Sequence, residues 1–214
     1  MSIIKGCIFD LDGVIVDTAK YHYLAWKRLA AELGFDFSEK DNERLKGVSR
    51  MASLEILLEI GGLTLDEEVK TALAAKKNQW YVDYIAVMNE EEVLPGAKQF
   101  IENARAAGLK VALGSASKNA LTILNRLKLA ECFDAVIDGN KVSKAKPDPE
   151  VFLLAAQELG LRPQNCAVFE DAKAGVEAAK RAGMRCIGVG TSPELSGADM
   201  IIPGFLNVGL DILE

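Results

Sequence analysis

Two kinds of hydrophobic pattern alternate along this chain. Short apolar runs at residues 3–9, 110–114, 135–137, 167–169 and 185–189, with a sixth at 200–202, mostly lack polar alternation. Such runs are expected of strands covered on both faces of a parallel sheet. Between them, apolar residues recur every three or four positions, predicting helices over 95–107, 119–129, 149–159 and 174–182. Pro95 and Gly96 open the first of these and Gly108 stops it, the usual placing of these residues at helix ends. This β-α-β-α order predicts a doubly wound, Rossmann-like α/β core on a parallel sheet.

The first strand breaks the alternation. After Phe9 no strand pattern returns until residue 110, and residues 21–88 read as helical throughout. One helix carries Tyr21, Ala25, Leu29 and Leu33 at four-residue spacing and ends at Gly34. Another, over 65–87, puts Leu65, Val69, Leu73, Trp80, Tyr84 and Val87 on one face. A block of this size is too long for a crossover loop. The expected organisation is a discontinuous α/β core, residues 1–16 and 90–214, with a helical cap inserted at 17–89. No internal repeat or low-complexity segment interrupts it.

Composition narrows the function classes. Of 214 residues, half are hydrophobic and 26% charged, as in soluble globular proteins. Twenty-five Lys and Arg against 31 Asp and Glu give a net charge of −6. That balance argues against nucleic-acid or anionic-membrane surfaces, although locally basic pockets are compatible with it. No apolar run approaches the roughly 18 residues of a membrane span. Asp10 interrupts the N-terminal apolar stretch before a signal peptide could develop, so a cytoplasmic protein is expected. Nothing in the pattern calls for a partner chain, and a monomer is expected. Cys7, Cys166 and Cys186 lie in apolar runs, Cys132 precedes Phe133, and no C-x-x-C pair is present, which favours packed, reduced thiols over zinc or disulfides. With His22 as the single histidine, any chemistry must rest mainly on carboxylates.

In an open α/β sheet, ligands bind outside the carboxyl ends of the strands. The residues there are Asp10-Leu-Asp-Gly13, Ser115-Ala-Ser-Lys-Asn119, Lys146, and Glu170-Asp171. Asp10 and Asp12, two apart in extended chain, can project from one side. Each acid alone would suit a helix N-cap or a solvated turn. Together they repel, by about 4 kcal/mol for unit charges ~4 Å apart at an effective dielectric of ~20, and call for a cation. Oxygen ligands without nitrogen or sulfur favour Mg²⁺ over zinc. A calcium loop starting at Asp10 is excluded, since Ile15 falls at its glycine position and Tyr21 at its bidentate Glu position. Ser115 and Ser117, at a strand-to-helix turn, and Lys146 suit a phosphate. An Asp nucleophile, a cation site, a hydroxyl and a lysine can transfer a phosphoryl group through an aspartyl-phosphate. Neither G-x-x-x-x-G-K-[ST] nor G-x-G-x-x-G occurs, which disfavours an ATP kinase or a nicotinamide enzyme.

Phe9-Asp-Leu-Asp-Gly-Val, Ser115, Lys146-Pro147 and Glu170-Asp171, in this order, resemble the haloacid dehalogenase-like phosphotransferases. The resemblance covers the whole chain, helical cap included. It implies that Asp10 is the nucleophile and Asp12 the general acid and base. It further implies Mg²⁺ on Asp10, Glu170, Asp171 and the backbone carbonyl of Asp12, with Ser115 and Lys146 binding phosphate. Asp17-Thr-Ala-Lys-Tyr-His22, Leu45-Lys-Gly-Val-Ser-Arg50, Lys77-Asn78 and Ser115-Ala-Ser-Lys-Asn119 are similar to the sugar-phosphate mutases of that superfamily. This closer likeness implies interconversion of β-glucose 1-phosphate and glucose 6-phosphate through β-glucose 1,6-bisphosphate. It implies substrate-binding roles for His22, Trp26, Gly47, Val48, Arg50, Ser53, Lys77, Ser117, Lys118 and Asn119. A bisphosphate needs a second anion site, for which Arg50 with Ser117, Lys118 and Asn119 is the candidate, since the Arg fork binds phosphate bidentately.

Plainer readings stand beside these. Arg50 could be solvated at a helix start, Lys77 could snorkel past an apolar stripe, and His22 and Trp26 could simply pack. Cap closure about hinges near 14–18 and 88–95 is expected to exclude the water that would hydrolyse an aspartyl-phosphate. A sugar-phosphate phosphatase of the same superfamily, in which water attacks, is the main alternative. A non-catalytic metal- and phosphate-binding regulator is a further one.

Overall fold

A computed structural model describes residues 3–45 and 49–214, and in it the chain divides into two compact units. One comprises Met1–Asp17 with Met88–Glu214, the other Thr18–Val87. In chain order, β1 (Gly6–Phe9) precedes the helices of the second unit, α1 (Ala19–Glu32), α2 (Glu39–Asn42), α3 (Arg50–Ile60) and α4 (Glu67–Ile85). The first unit resumes with α5 (Ala97–Ala106), β2 (Lys110–Gly114), α6 (Ala120–Arg126), β3 (Ala135–Ile137) and α7 (Glu150–Glu158). It ends with β4 (Cys166–Glu170), α8 (Lys173–Arg181), β5 (Arg185–Val189) and β6 (Met200–Ile202).

The six strands form one parallel sheet in the order β3-β2-β1-β4-β5-β6. This is the doubly wound arrangement expected from the alternating pattern. Strands β1 and β4 are buried along their whole length, which is why their sequences show no polar alternation. On one face Ile8, Ala112, Val168 and Cys186 pack against α7 and α8 through Phe152, Ala155, Val176 and Ala179. Phe9 and Phe169 on neighbouring strands are register partners, their rings stacked at 4.6 Å and 7°. Phe100 of α5 meets these rings edge-on at 6.2 and 5.2 Å, and Phe205 tilts against them at 6.1 and 5.6 Å. This aromatic platform lies one residue before Asp10 and Glu170. Chain order reverses between β1 and β4, so the switch point of the sheet falls where those two acids stand.

Past β1 the chain turns tightly, with Ile15 and Val16 donating to the Leu11 carbonyl at 2.9 and 3.1 Å and Gly13 to that of Val16 at 2.8 Å. Val16 then pairs antiparallel with Val93, and Leu94 donates to Ile15 at 2.8 Å. The segment leaving the sheet and the segment returning to it are thereby tied together. Three cysteines lie in β1, β4 and β5, where burial pushes the thiols of Cys7 and Cys186 up to about 12 and that of Cys166 up to about 11. At neutral pH these are protonated packing groups. Helix α6 ends earlier than its pattern predicts, at Arg126, and Lys128 then turns the chain with φ 53°.

In the second unit α1 buries Ala25, Trp26, Leu29 and Ala30, close to the expected stripe. The stripe expected on α4 is wrong. Leu65 precedes the helix, Val69 and Val87 are exposed, and Leu73 and Tyr84 are half-buried. The buried line is Ala74, Lys77, Tyr81 and Ile85, with Trp80 beside it. Lys77 and Trp80 do lie on the inward face as expected, but Ala74, Tyr81 and Ile85 were not assigned to it. Lys77, 2% exposed, is accommodated because its ammonium lies 4.4 Å from the centre of the Trp26 ring.

Removing one ring of the platform should be costly. Phe169→Ala is expected to lower unfolding free energy by about 3–5 kcal/mol, read from urea unfolding midpoints.

Candidate active site

Asp10 follows β1 and is 6% exposed, its N–H held by the Phe169 carbonyl at 2.9 Å. Glu170, the last residue of β4, is 2% exposed. The Lys146 ammonium bridges the two, 2.5 Å from Asp10 Oδ1 and 2.7 Å from Glu170 Oε2. It also sits 4.7 Å from the centre of the Phe152 ring. The other Glu170 oxygen, Oε1, accepts from the Ala172 N–H at 3.2 Å. One carboxylate oxygen each from Asp10, Glu170 and Asp171 lie within 4.8 Å of one another.

Two glycines make room for these acids. At Gly13, φ +74°, a Cβ would run into the Asp171 carboxylate, and at Gly175 a Cβ would run into that of Glu170. The spacing of the acids did not reveal these seats. The Asp12-Gly13 and Ala174-Gly175-Val176 settings were the available signal.

The electrostatics explain what the cluster can hold. Burial first, then the charge of Asp10, pushes Glu170 up to about 8 and Asp171 up to about 7. Burial alone would lower the Lys146 ammonium, but Asp10 and Glu170 outweigh it and hold it above the usual lysine range. One ammonium against three carboxylates leaves a surplus of two negative charges when all ionise. Hard oxygen donors carrying that surplus fit one divalent cation such as Mg²⁺.

Ser115, 1% exposed, follows β2 beside β1, and its N–H donates to the Ile137 carbonyl at 2.9 Å. Its Oγ accepts from the Ser117 N–H at 3.1 Å, and the Ser117 Oγ accepts from the Asn119 N–H at 3.3 Å. Lys118 is exposed, and Asn119 stands immediately before α6. A neighbouring loop, unremarked in the sequence, braces this one. The Gly139 N–H donates to the Ser117 carbonyl at 3.1 Å, and Asn140 Nδ2 to the Lys118 carbonyl at 2.9 Å and Asp138 Oδ2 at 3.0 Å. Asp12 lies half-buried in the turn after β1.

The remaining expected residues belong to the helical unit and form a second cluster within it. His22 Nδ1 is 2.8 Å from Lys77 Nζ, and the His22 ring stacks on Tyr81 at 4.0 Å. Burial and then the charge of Arg50 bring Lys77 down to about 7. Burial, then Lys77 and Arg50, holds His22 well below its ordinary value. This suits an ammonium donating to a neutral imidazole. Arg50 opens α3 with an exposed side chain after Ser49, whose Oγ caps Ala52 at 3.2 Å. Ser53 and Trp26 are buried, at 4% and 3% exposed. Gly47 and Val48 lie outside the described residues.

Strand-end carboxylates, a buried lysine and a serine on a doubly wound sheet define a phosphotransfer type of centre, and the chain belongs to the haloacid dehalogenase-like hydrolase family, whose model matches residues 4–183. It is 42% identical to β-phosphoglucomutase of Bacillus subtilis over 212 residues, 98% of this chain and 94% of that protein. It is 35% identical to a phosphorylated carbohydrates phosphatase of Thermotoga maritima, covering 86% of this chain and 83% of that one. The crystal structure of β-phosphoglucomutase from Clostridium difficile superposes with a TM-score of 0.90 at 41% identity, covering 99% of this chain and 96% of that one. Among the described residues, no helix is long and apolar enough to cross a membrane.

The raised acids carry a pH signature. Between the unfolded carboxylate range and about pH 8, the folded protein holds protons on Glu170 and Asp171 that the unfolded chain has released. Metal-free stability should therefore fall as pH rises through this window, by on the order of 2–4 kcal/mol. Thermal unfolding in chelator at pH 5.5 and 8 should show the loss relative to a Glu170→Gln/Asp171→Asn variant. Added Mg²⁺ should remove it.

Proposed function

We propose that this protein interconverts β-glucose 1-phosphate and glucose 6-phosphate through an aspartyl-phosphate on Asp10 and β-glucose 1,6-bisphosphate. The observation that carries the reading is the 42% identity to a β-phosphoglucomutase along 98% of the chain. Asp10 Oδ attacks phosphorus, and the sugar oxygen leaves with a proton from Asp12. In the reverse sense, Asp12 takes the proton of a sugar hydroxyl as that oxygen attacks the aspartyl-phosphate. The bisphosphate reorients between the two half-reactions, so each phosphate meets Asp10 in turn. Ser115 and Lys146 hold the phosphate in transfer, the Lys146 ammonium lying 2.5 Å from Asp10 Oδ1.

Asp10, Glu170, Asp171 and the Asp12 carbonyl would hold Mg²⁺, which when bound neutralises charge on the transferring phosphoryl oxygens. Arg50 is assigned to the phosphate that is not in transfer. The cationic character of the helical unit supports this, because the charges of Lys77 and Arg50 oppose one another beside a neutral His22 and an anion would relieve them. A sugar-phosphate phosphatase is the second reading, favoured by the 35% identity to the Thermotoga maritima enzyme. There, water replaces the sugar hydroxyl at the aspartyl-phosphate.

Assays with β-glucose 1-phosphate, Mg²⁺ and activating bisphosphate separate the two. Isomerisation should exceed phosphate release in the wild-type protein; release without isomerisation would establish the phosphatase. Asp10→Asn should lower turnover by at least about 10³-fold. Arg50→Ala should lower isomerisation by about 10–100-fold, the loss expected for hydrogen bonds to a charged group. Unchanged isomerisation in Arg50→Ala would remove Arg50 from the second phosphate.

A further inference from the structure

Lys146 stands on no helix or strand. It lies in the irregular segment between β3 and α7, yet its ammonium is placed within 2.5–2.7 Å of two acids on other strands. Something must hold that segment, because a lysine has four side-chain torsions and a loop adds backbone freedom. Part of the answer is local. The Asp148 N–H donates to the Ala145 carbonyl at 3.0 Å, closing a turn with Lys146 and Pro147 at its centre. Arg181 of α8 donates to the Pro147 carbonyl at 3.3 Å.

The larger part comes from Glu150, the first residue of α7. Its Oε2 accepts from the Ser143 N–H at 3.0 Å and the Lys144 N–H at 2.6 Å. The Ser143 hydroxyl lies 3.0 Å from both carboxylate oxygens. The Glu150 N–H in turn donates to Asp148 Oδ1 at 3.1 Å. One carboxylate thus gathers the backbone two and three residues before Lys146 and anchors it to a helix. The far side of that helix packs into the core through Val151, Phe152 and Ala155, and Phe152 lies under the Lys146 ammonium. The backbone bonds from Lys144 and Ser143 also lower the Glu150 carboxyl, so the anion is the form that clamps. Charge-assisted bonds to backbone N–H groups are about twice as strong as neutral ones.

We propose that Glu150 is a positioning residue for phosphate binding, acting through the Ser143–Lys144 backbone to aim Lys146 at Asp10 and Glu170. It touches neither the acids nor substrate. The inference rests on the reading of Lys146 as a phosphate ligand, so the test separates the two.

The experiment is a double-mutant cycle read by calorimetric binding of inorganic phosphate to the full chain with Mg²⁺, and of Mg²⁺ alone. Lys146→Ala should weaken phosphate binding by about 10–100-fold. Glu150→Ala should weaken it by about 3–10-fold, and adding it to Lys146→Ala should cost nothing more, because its effect passes through Lys146. Mg²⁺ binding should tighten in Glu150→Ala, since a competing cation is loosened from Asp10 and Glu170, whereas general disruption of the site would weaken both ligands. Glu150→Gln, which keeps an acceptor oxygen for the two N–H groups, should recover most of the phosphate affinity. If Glu150→Ala does not fold, Glu150→Asp, one methylene too short to reach, takes its place in the cycle. Additive losses in the double variant, wild-type phosphate affinity in Glu150→Ala, or weakened Mg²⁺ binding would each overturn the positioning role. Unchanged phosphate affinity in Lys146→Ala would overturn the reading of Lys146 itself.

Discussion

Three carboxylates share a buried space with one ammonium, and much of the α/β unit is organised around tolerating that. Lys146 reaches Asp10 and Glu170 at hydrogen-bond distance, and the oxygens of the three acids lie within 4.8 Å. Burying like charges is unfavourable in any fold unless a counter-charge is built in or recruited. This centre does the first in part through Lys146, and its oxygen donors fit a divalent cation for the remainder.

The surroundings show how such a centre is held in place. Asp10 and Glu170 end neighbouring parallel strands, and the residues just before them, Phe9 and Phe169, stack in register. Fixing those two rings with Phe100 and Phe205 fixes where the two strand ends emerge. Gly13 and Gly175 then let the carboxylates approach closer to backbone than any side chain would permit. Apolar packing below and absent side chains beside it supply the rigidity that a crowded anionic site cannot supply for itself. Loops contribute in the same way: the 138–140 segment braces Ser117 and Lys118, and Glu150 braces the segment carrying Lys146.

The helical unit poses the opposite electrostatic problem. His22, Lys77 and Arg50 bring basic groups together, and burial lowers the basicity of His22 and Lys77. Trp26 and Tyr81 offer ring faces to the Lys77 ammonium at 4.4 and 5.2 Å, which moderates the burden without an acid.

What was legible in the linear chain was whatever local pattern controls. Apolar runs without alternation marked the parallel strands, helical periodicity marked the helices between them, and the strand ends named Asp10, Ser115, Lys146, Glu170 and Asp171 together. Lys77 also stood out, as a charge on a stripe that should be apolar. The rest of the inward face of α4 was not legible, because Ala74 carries no strong hydrophobic signal and only the packing shows which side is covered. Nor were the glycine seats, the 138–140 brace or the Glu150 clamp. Each depends on an approach between groups that hydrogen bonding and steric fit decide in three dimensions. Asp10 and Lys146 are 136 residues apart in the chain. The pattern placed Asp10 just past the first strand and Lys146 in the segment after the third, since periodicity is a property of neighbours. That they meet, with one ammonium shared between two buried acids, was decided by the tertiary structure, because charge and volume act through space.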